Sequence, residues 1–160
     1  MNVEPGRVSL REVTGKTVIA ITRLAVDKSQ DGFVAPNAIS FAQALFAPEA
    51  WYRAIYLDDT PVGFVMLADD SQRLPPPEHP EIGVWRFMID ARHQGQGIGA
   101  AALSQVIEQV RSRGCFAKLE LSYVPGPGCP EPFYLGVGFR HTGRVDGSEV
   151  VLEIPLAAPA

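Results

Sequence analysis

The sequence predicts an α+β fold, a mixed sheet with helices packed against it, in one domain spanning residues 1–160. Three observations predict it. Strand-like alternation and helix-like periodicity follow one another as strand, helix, helix, hairpin, strand, helix, strand, helix, hairpin. The 160 residues, 46% of them hydrophobic, are enough for one substantial core and too few for two ordinary domains. No internal repeat divides them.

Each element has a local reason. Residues 8–13, VSLREV, alternate apolar and polar side chains as a half-buried strand does, and Thr14 with Gly15 ends the pattern. Val18, Ile19, Ile21 and Leu24 form a short amphipathic helix; after a polar turn, a second helical pattern runs from Ile39 to Phe46. WYRAIYL and VGFVMLA flank DDTP and predict an antiparallel hairpin over residues 51–68. The four prolines of residues 71–81 cannot donate to a ladder, so SQRLPPPEHPE is an exposed, stiff loop. GVWRFMID is the next strand. From Ile98, the residues Ala101, Ala102, Leu103, Val106, Ile107 and Val110 mark a long amphipathic helix that Gly114 stops. FAKLELSYV is a strand, Pro130 and Pro132 fit only the first turn of a helix, and VDGSE turns a closing hairpin.

Composition excludes several functions. The formal net charge is −4 with no lysine or arginine run, which removes the electrostatic footprint of a nucleic-acid binder and suits a small cationic substrate. Cys115 and Cys129 show neither metal-ligand spacing nor a disulfide framework, so no metal is expected. The N-terminus lacks a signal-peptide pattern and no apolar run approaches a membrane span. A cytoplasmic protein without nucleic-acid or membrane partners is the expectation. An edge strand in a mixed sheet allows a homodimer.

Chemistry concentrates in FMIDARHQGQGIGAAAL, residues 87–103. Gln94, Gly95, Gln96, Gly97, Ile98 and Gly99 read Q-x-x-G-x-G at a strand-to-helix junction, with Ala100 following. Glycines there let a diphosphate approach the main chain, and the unpaired N–H groups and dipole of the helix start neutralise it. Arg92 and His93 add charge at the rim. Glycines alone would also serve a tight connection with no ligand. Gly95, Gly97 and Ala100 satisfy the dinucleotide fingerprint G-x-G-x-x-A, with Glu120 twenty residues on, but four residues separate the strand from the glycines and too little chain follows for a doubly wound sheet. No G-K-[ST] ends the segment, so it is not a P-loop.

WRFMI, QGQGIGAAAL, KLELSYV and FYLGVGF, in this order and spacing, resemble the Gcn5-related N-acetyltransferases over nearly the whole chain. Residues 33–67, FVAPNAISFAQALFAPEAWYRAIYLDDTPVGFVML, are similar to the bacterial branch that acetylates spermine and spermidine. The resemblance implies a twisted, mostly antiparallel sheet of about seven strands with a splayed central pair, and about four helices. It also implies acetyl-coenzyme A as cosubstrate. The diphosphate would lie on residues 94–100 and the pantetheine arm along Phe87, Met88 and Ile89, pairing with the open strand edge. The acceptor would be a primary amine of a small molecule, a polyamine above all. Other amines (an amino acid, an antibiotic or a peptide N-terminus) and a noncatalytic acyl-coenzyme A-binding module are the alternatives.

Amine acetylation needs a neutral nucleophile, a polarised thioester carbonyl and a proton for the departing thiolate. A tyrosine titrating near ~10 can protonate a thiolate whose thiol titrates at about 8.5. Tyr134, in the pattern Y-x-x-x-G-F, takes that role by the resemblance; packing is the other use of a buried tyrosine. The Met88 N–H is expected to meet the oxyanion. Glu81, with the strand parity of Gly83, Trp85 and Phe87, is the candidate base acting through water. Phe33 and Asn37 fall where the family shapes its acceptor pocket, and Trp51 and Trp85 supply aromatic faces for an alkylammonium. The chain departs from the family at Pro127 and Pro130, where many members have asparagine and alanine; a side-chain contact to the cofactor is lost there.

Overall fold

Seven strands form one sheet in the order β1-β2-β3-β4-β5-β7-β6. In the computed structural model, which describes residues 2–156, the strands are β1 (Val8–Arg11), β2 (Ala50–Leu57), β3 (Thr60–Asp69), β4 (Ile82–Ile89), β5 (Lys118–Tyr123), β6 (Arg140–Asp146) and β7 (Glu149–Pro155). The helices are α1 (Val18–Thr22), α2 (Asn37–Ala44), α3 (Ile98–Ser112) and α4 (Glu131–Val137). Neighbouring strands are antiparallel except β4 and β5, which run parallel and are joined by α3 as a crossover requires. The expected α+β class, strand number and helix number are all present. Individual bounds move by about two residues: β1 ends at Arg11, and α2 begins at Asn37.

Local chemistry explains these elements. Leu57 pairs with Thr60, so Asp58 and Asp59 alone make the turn of the β2–β3 hairpin, and Asp58 takes the left-handed φ of 52° that such a turn demands. Arg7 holds that aspartate in place through an ion pair. Along α3 the buried residues are Ile98, Ala102, Leu103, Val106, Ile107 and Val110, one helical face, and Gly114 at φ 70° ends the helix. None of the described helices is long and apolar enough to cross a membrane.

The sheet separates two cores. On one face α3 and α4 cover Ile55, Val65, Leu67, Leu119 and Leu152; on the other α1 and α2 cover Ala54, Phe64, Met66 and Met88. Both cores depend on β3 and β4 lying close together, and that closeness has a visible limit at Gly63. A Cβ at this position would sit 2.5 Å from the Met88 carbonyl oxygen and 2.9 Å from Ile89 Cδ1. Backbone cannot yield there without moving β4. Gly63→Ala is therefore expected to lower stability by roughly 2–3 kcal/mol, measured by urea denaturation.

Candidate active site

The site begins with a failure of pairing. β4 and β5 pair only at Ile82–Leu119, Gly83–Glu120 and Val84–Leu121, after which no further partners join them. From Trp85 to Ile89, β4 therefore has one edge without a strand neighbour. A bulge at Trp85 shifts the β3 register, since Leu67 faces Val84 and Met66 faces Arg86.

The bulge alters one expectation and the strand's hydrogen-bond phase another. Glu81 does not share a face with Phe87: Trp85 packs on the α2 side and Phe87 on the α3 side, so parity does not carry across. Glu81 itself is exposed, precedes β4 and lines none of the cavities described below. The main chain can also be oriented. Asp90 N–H donates to Val62 O at 2.8 Å, whereas Ile89 O accepts from Gln94 Nε2 at 2.9 Å. Antiparallel alternation then turns the Met88 main-chain groups toward β3 and leaves those of Phe87 and Ile89 on the open edge. The N–H groups that this strand presents on its open edge are thus those of Phe87 and Ile89, whereas the Met88 N–H expected to meet an oxyanion faces β3.

Beyond β4 the chain is pinned by Asp90. This carboxylate, 3% exposed, accepts from Ala25 N–H (3.0 Å), Arg92 N–H (3.1 Å) and Arg92 Nε (2.8 Å). Burial pushes its pKa up, but Arg92 and the two backbone donors outweigh that and hold it below the usual carboxylate value. Arg92 is consequently engaged with Asp90, leaving His93 at the cavity rim. Gln94 is a strut: its Nε2 also reaches Gln30 Oε1 at 2.8 Å.

The glycine segment follows. Gly95 and Gly97 have φ of 76° and 80°, and Gly97 caps α3 without a side-chain acceptor. The N–H groups of Gly95 through Ala100 have no hydrogen-bond acceptor among the described residues, while Gln96 O accepts from Val3 N–H. Such a row of donors at the start of a helix of fifteen residues is chemically an anion cradle. Ile98 contributes main chain only, its side chain being buried in the core.

A cavity of about 370 Å³ joins this cradle to the open strand edge. Phe87, Met88 and Ile89 line one side and Gly95, Gly97, Gly99 and Ala100 another. Its far wall is aromatic. Phe133 stacks on Phe87 at 5.9 Å and contacts Tyr134 at 5.3 Å, and a Cβ on Gly99 would come within 3.2 Å of Phe133. Gly128 and Pro130 complete the wall, so Pro130 meets a ligand as an apolar surface.

A second cavity, about 520 Å³, lies on the other side of the same junction. Phe33, Val34, Phe87 and Tyr134 line both spaces. Trp85, Arg86, Ser122, Asp31 and Glu149 belong to the second. Tyr134 is 8% exposed, its hydroxyl has no hydrogen-bond partner among the described residues, and burial raises its pKa to about 12. It is a neutral donor held where the two cavities meet.

The other expected residues divide. Phe33 and Trp85 line the second cavity. Asn37 is 2% exposed and donates to Ile21 O at 2.9 Å, tying α2 to α1. Trp51 lies on the α3 face under Arg53, 4.5 Å from its guanidinium carbon, beside Val106 and Val110. Neither lines the two cavities. Phe133, Arg86 and Glu149 escaped the sequence reading. Phe133 adjoins Tyr134 in PFYLG and was legible; the other two reach the cavity through a bulge and a hairpin that sequence does not position.

Residues 21–126 match the family described as Acetyltransferase (GNAT). The fold is similar to an acetyltransferase from Thermus thermophilus, with 20% identity and a TM-score of 0.70 over 97% of this chain and 99% of that one. It is also similar to the ribosomal-protein-S18-alanine N-acetyltransferase from Escherichia coli, with 16% identity and a TM-score of 0.68 over 96% of each chain. A third similar structure is the PaiA N-acetyltransferase from Thermoplasma acidophilum in complex with coenzyme A, with 14% identity and a TM-score of 0.66 over 92% of this chain and 98% of that one. Among curated proteins there is no significant match.

The Asp90 contacts yield a pH-dependent expectation. A carboxylate whose folded pKa is depressed stabilises the fold above its unfolded pKa and loses that contribution as pH falls through the folded value. Asp90→Asn should cost about 1–3 kcal/mol at pH 7, and the gap to the parent should narrow below about pH 4, in denaturation curves collected across pH.

Proposed function

The chain belongs to the acetyltransferase (GNAT) family, and from that premise we propose that it transfers the acetyl group of acetyl-coenzyme A to a primary amine of a small molecule. One observation carries the reading: an anion cradle and a strand edge lead into one cavity, a second cavity receives from the other side, and Tyr134 borders both. The residues fit the cosubstrate. Six consecutive N–H groups without acceptors suit a diphosphate, and the open edge of Phe87 and Ile89 offers main-chain donors and acceptors to an amide-bearing arm. The cosubstrate supplies an activated acetyl group as a thioester.

The chain's own residues supply position and protons. In the net reaction an N–C bond forms, the thioester C–S bond breaks, one proton ends on the sulfur and one ammonium proton leaves to solvent. Tyr134 OH is the donor to sulfur. A hydroxyl titrating at about 12 is a weak acid for this task in water, but a buried site also disfavours the charged thiolate and so draws the proton toward sulfur. Phe87 or Ile89 N–H receives the negative charge that develops on the carbonyl oxygen.

A narrower reading makes the acceptor a polyamine such as spermine or spermidine. The net charge of −4 and the carboxylates Asp31 and Glu149 on the second cavity favour it. Arg86 on the same cavity weighs against it.

Tyr134→Phe should lower kcat by about 100-fold or more while coenzyme A binds as before by calorimetry. Unchanged turnover with the best amine would leave a role in packing alone. The acid form of Tyr134 is required and is lost only as pH rises through about 12. The rate should therefore climb from pH 6 to 9 as the acceptor amine loses its proton, with no falling limb below about pH 10, in thiol-release assays.

A further inference from the structure

The second cavity contains a charge that amine acetylation does not itself require. Arg86 follows the bulge at Trp85, so two successive side chains of β4 turn toward α2. Its Nη1 donates to Trp85 O and its Nη2 to Gln43 Oε1, each at 3.0 Å. Both acceptors are neutral. Arg86 Nε is buried with no partner, and no carboxylate lies within ion-pairing distance of the guanidinium among the described residues. Arg23 is the other arginine without such a partner, and it is exposed. The guanidinium is half-buried, lies 5.7 Å over the Trp85 ring and lines the cavity without an anion, so a ligand carboxylate entering there would find an unused partner. Burial indeed lowers the Arg86 pKa from its usual value, with the more distant Glu149 acting in the opposite direction.

The carboxylates nearby differ in how far they are neutralised. Along the wider groove that continues past Trp85, Glu49 is paired with Arg73 at 3.2 Å, and Glu120 with both Lys118 and Arg144, while Asp146 makes no ion pair among the described residues. Two of the three acids of that groove are therefore already neutralised. Asp31 and Glu149, on the cavity that holds Arg86, make no ion pair among the described residues. The cavity thus presents one unpaired cation and two unpaired anions, beside apolar walls from Phe33, Val34 and Leu121.

We propose that the acceptor is an amino-carboxylate, a free amino acid or a compound of that kind, whose carboxylate binds Arg86 while its amine is drawn by Asp31 and Glu149 and directed to the Tyr134 end. This rests on the acetyltransferase reading and names its substrate class. The transfer is the one balanced above: the acceptor nitrogen gains acetyl, the sulfur gains a proton, and a proton leaves to solvent. A polycation would meet Arg86 as a like charge, and a simple alkylamine would leave it unpaired.

The test uses the purified chain with acetyl-coenzyme A and the common L-amino acids, each as free acid and as amide, with spermidine alongside. At least one free acid should exceed its amide and spermidine in kcat/KM by about 30-fold or more, the scale of losing one member of a buried charge pair. Arg86→Gln should raise KM for that acid by a similar factor, leave KM for its amide within about twofold, and leave coenzyme A binding unchanged; Arg86→Lys should restore part of the preference. Preference for amides or spermidine, or a preference that survives Arg86→Gln, overturns the proposal. If the glutamine variant does not fold, the contrast between acid and amide in the parent decides alone. Coenzyme A binding and acetylation of carboxylate-free amines would defeat only this inference. Failure to bind coenzyme A, with no thiol released by any amine, would defeat the acetyltransferase reading as well; binding without turnover of any free acid also overturns the amino-carboxylate assignment.

Discussion

Everything functional in this molecule follows from the short life of one parallel strand pair. β4 and β5 hold together across three residue pairs and then separate. A parallel ladder lacks the local hairpin that forces antiparallel neighbours together, so its continuation depends on what packs above and below it. Here α3 starts from the loop after β4, and α4 arrives from beyond β5 with Phe133 and Tyr134, occupying the space between the strands with rings where backbone pairing has stopped. The open edge of β4, the glycine cradle and the tyrosine are parts of one geometrical outcome. Closing the ladder would remove all three.

Electrostatics divides the site into two regimes. Around the cradle, neutrality is maintained by main-chain dipoles, and the nearby charges are consumed internally, as Asp90 with Arg92 shows. Tyr134 is kept neutral by burial with no charged group correcting its titration. Across the junction the opposite holds. Arg86 and Glu149, half-buried, and Asp31, exposed, bring formal charges to the lining of the second cavity.

The fold was legible because its signals are periodic and local. The α3 stripe from Ile98 to Val110, the Asp58–Asp59 turn and the prolines opening α4 each announce an element without reference to the rest of the chain. The glycine segment was legible for the same reason, since its chemistry lies in consecutive backbone positions. The acceptor side was not. Glu81 fails because a bulge at Trp85 interrupts a period of two, and bulges leave no mark in a short apolar run. Trp51 fails because either face of a strand buried on both sides accepts a tryptophan. Met88 as a hydrogen-bond donor fails because strand alternation cannot be phased until one inter-strand bond is known.

The cradle formed by residues 95–100 works through atoms that every residue possesses. Substitutions at Gln96, whose side chain lines neither cavity, leave that grip intact, whereas the acceptor cavity is written in individual side chains. On the proposed reading, substitutions at positions such as 31, 86 and 149 would alter which acceptor is taken while the main-chain grip on the donor stays as it is.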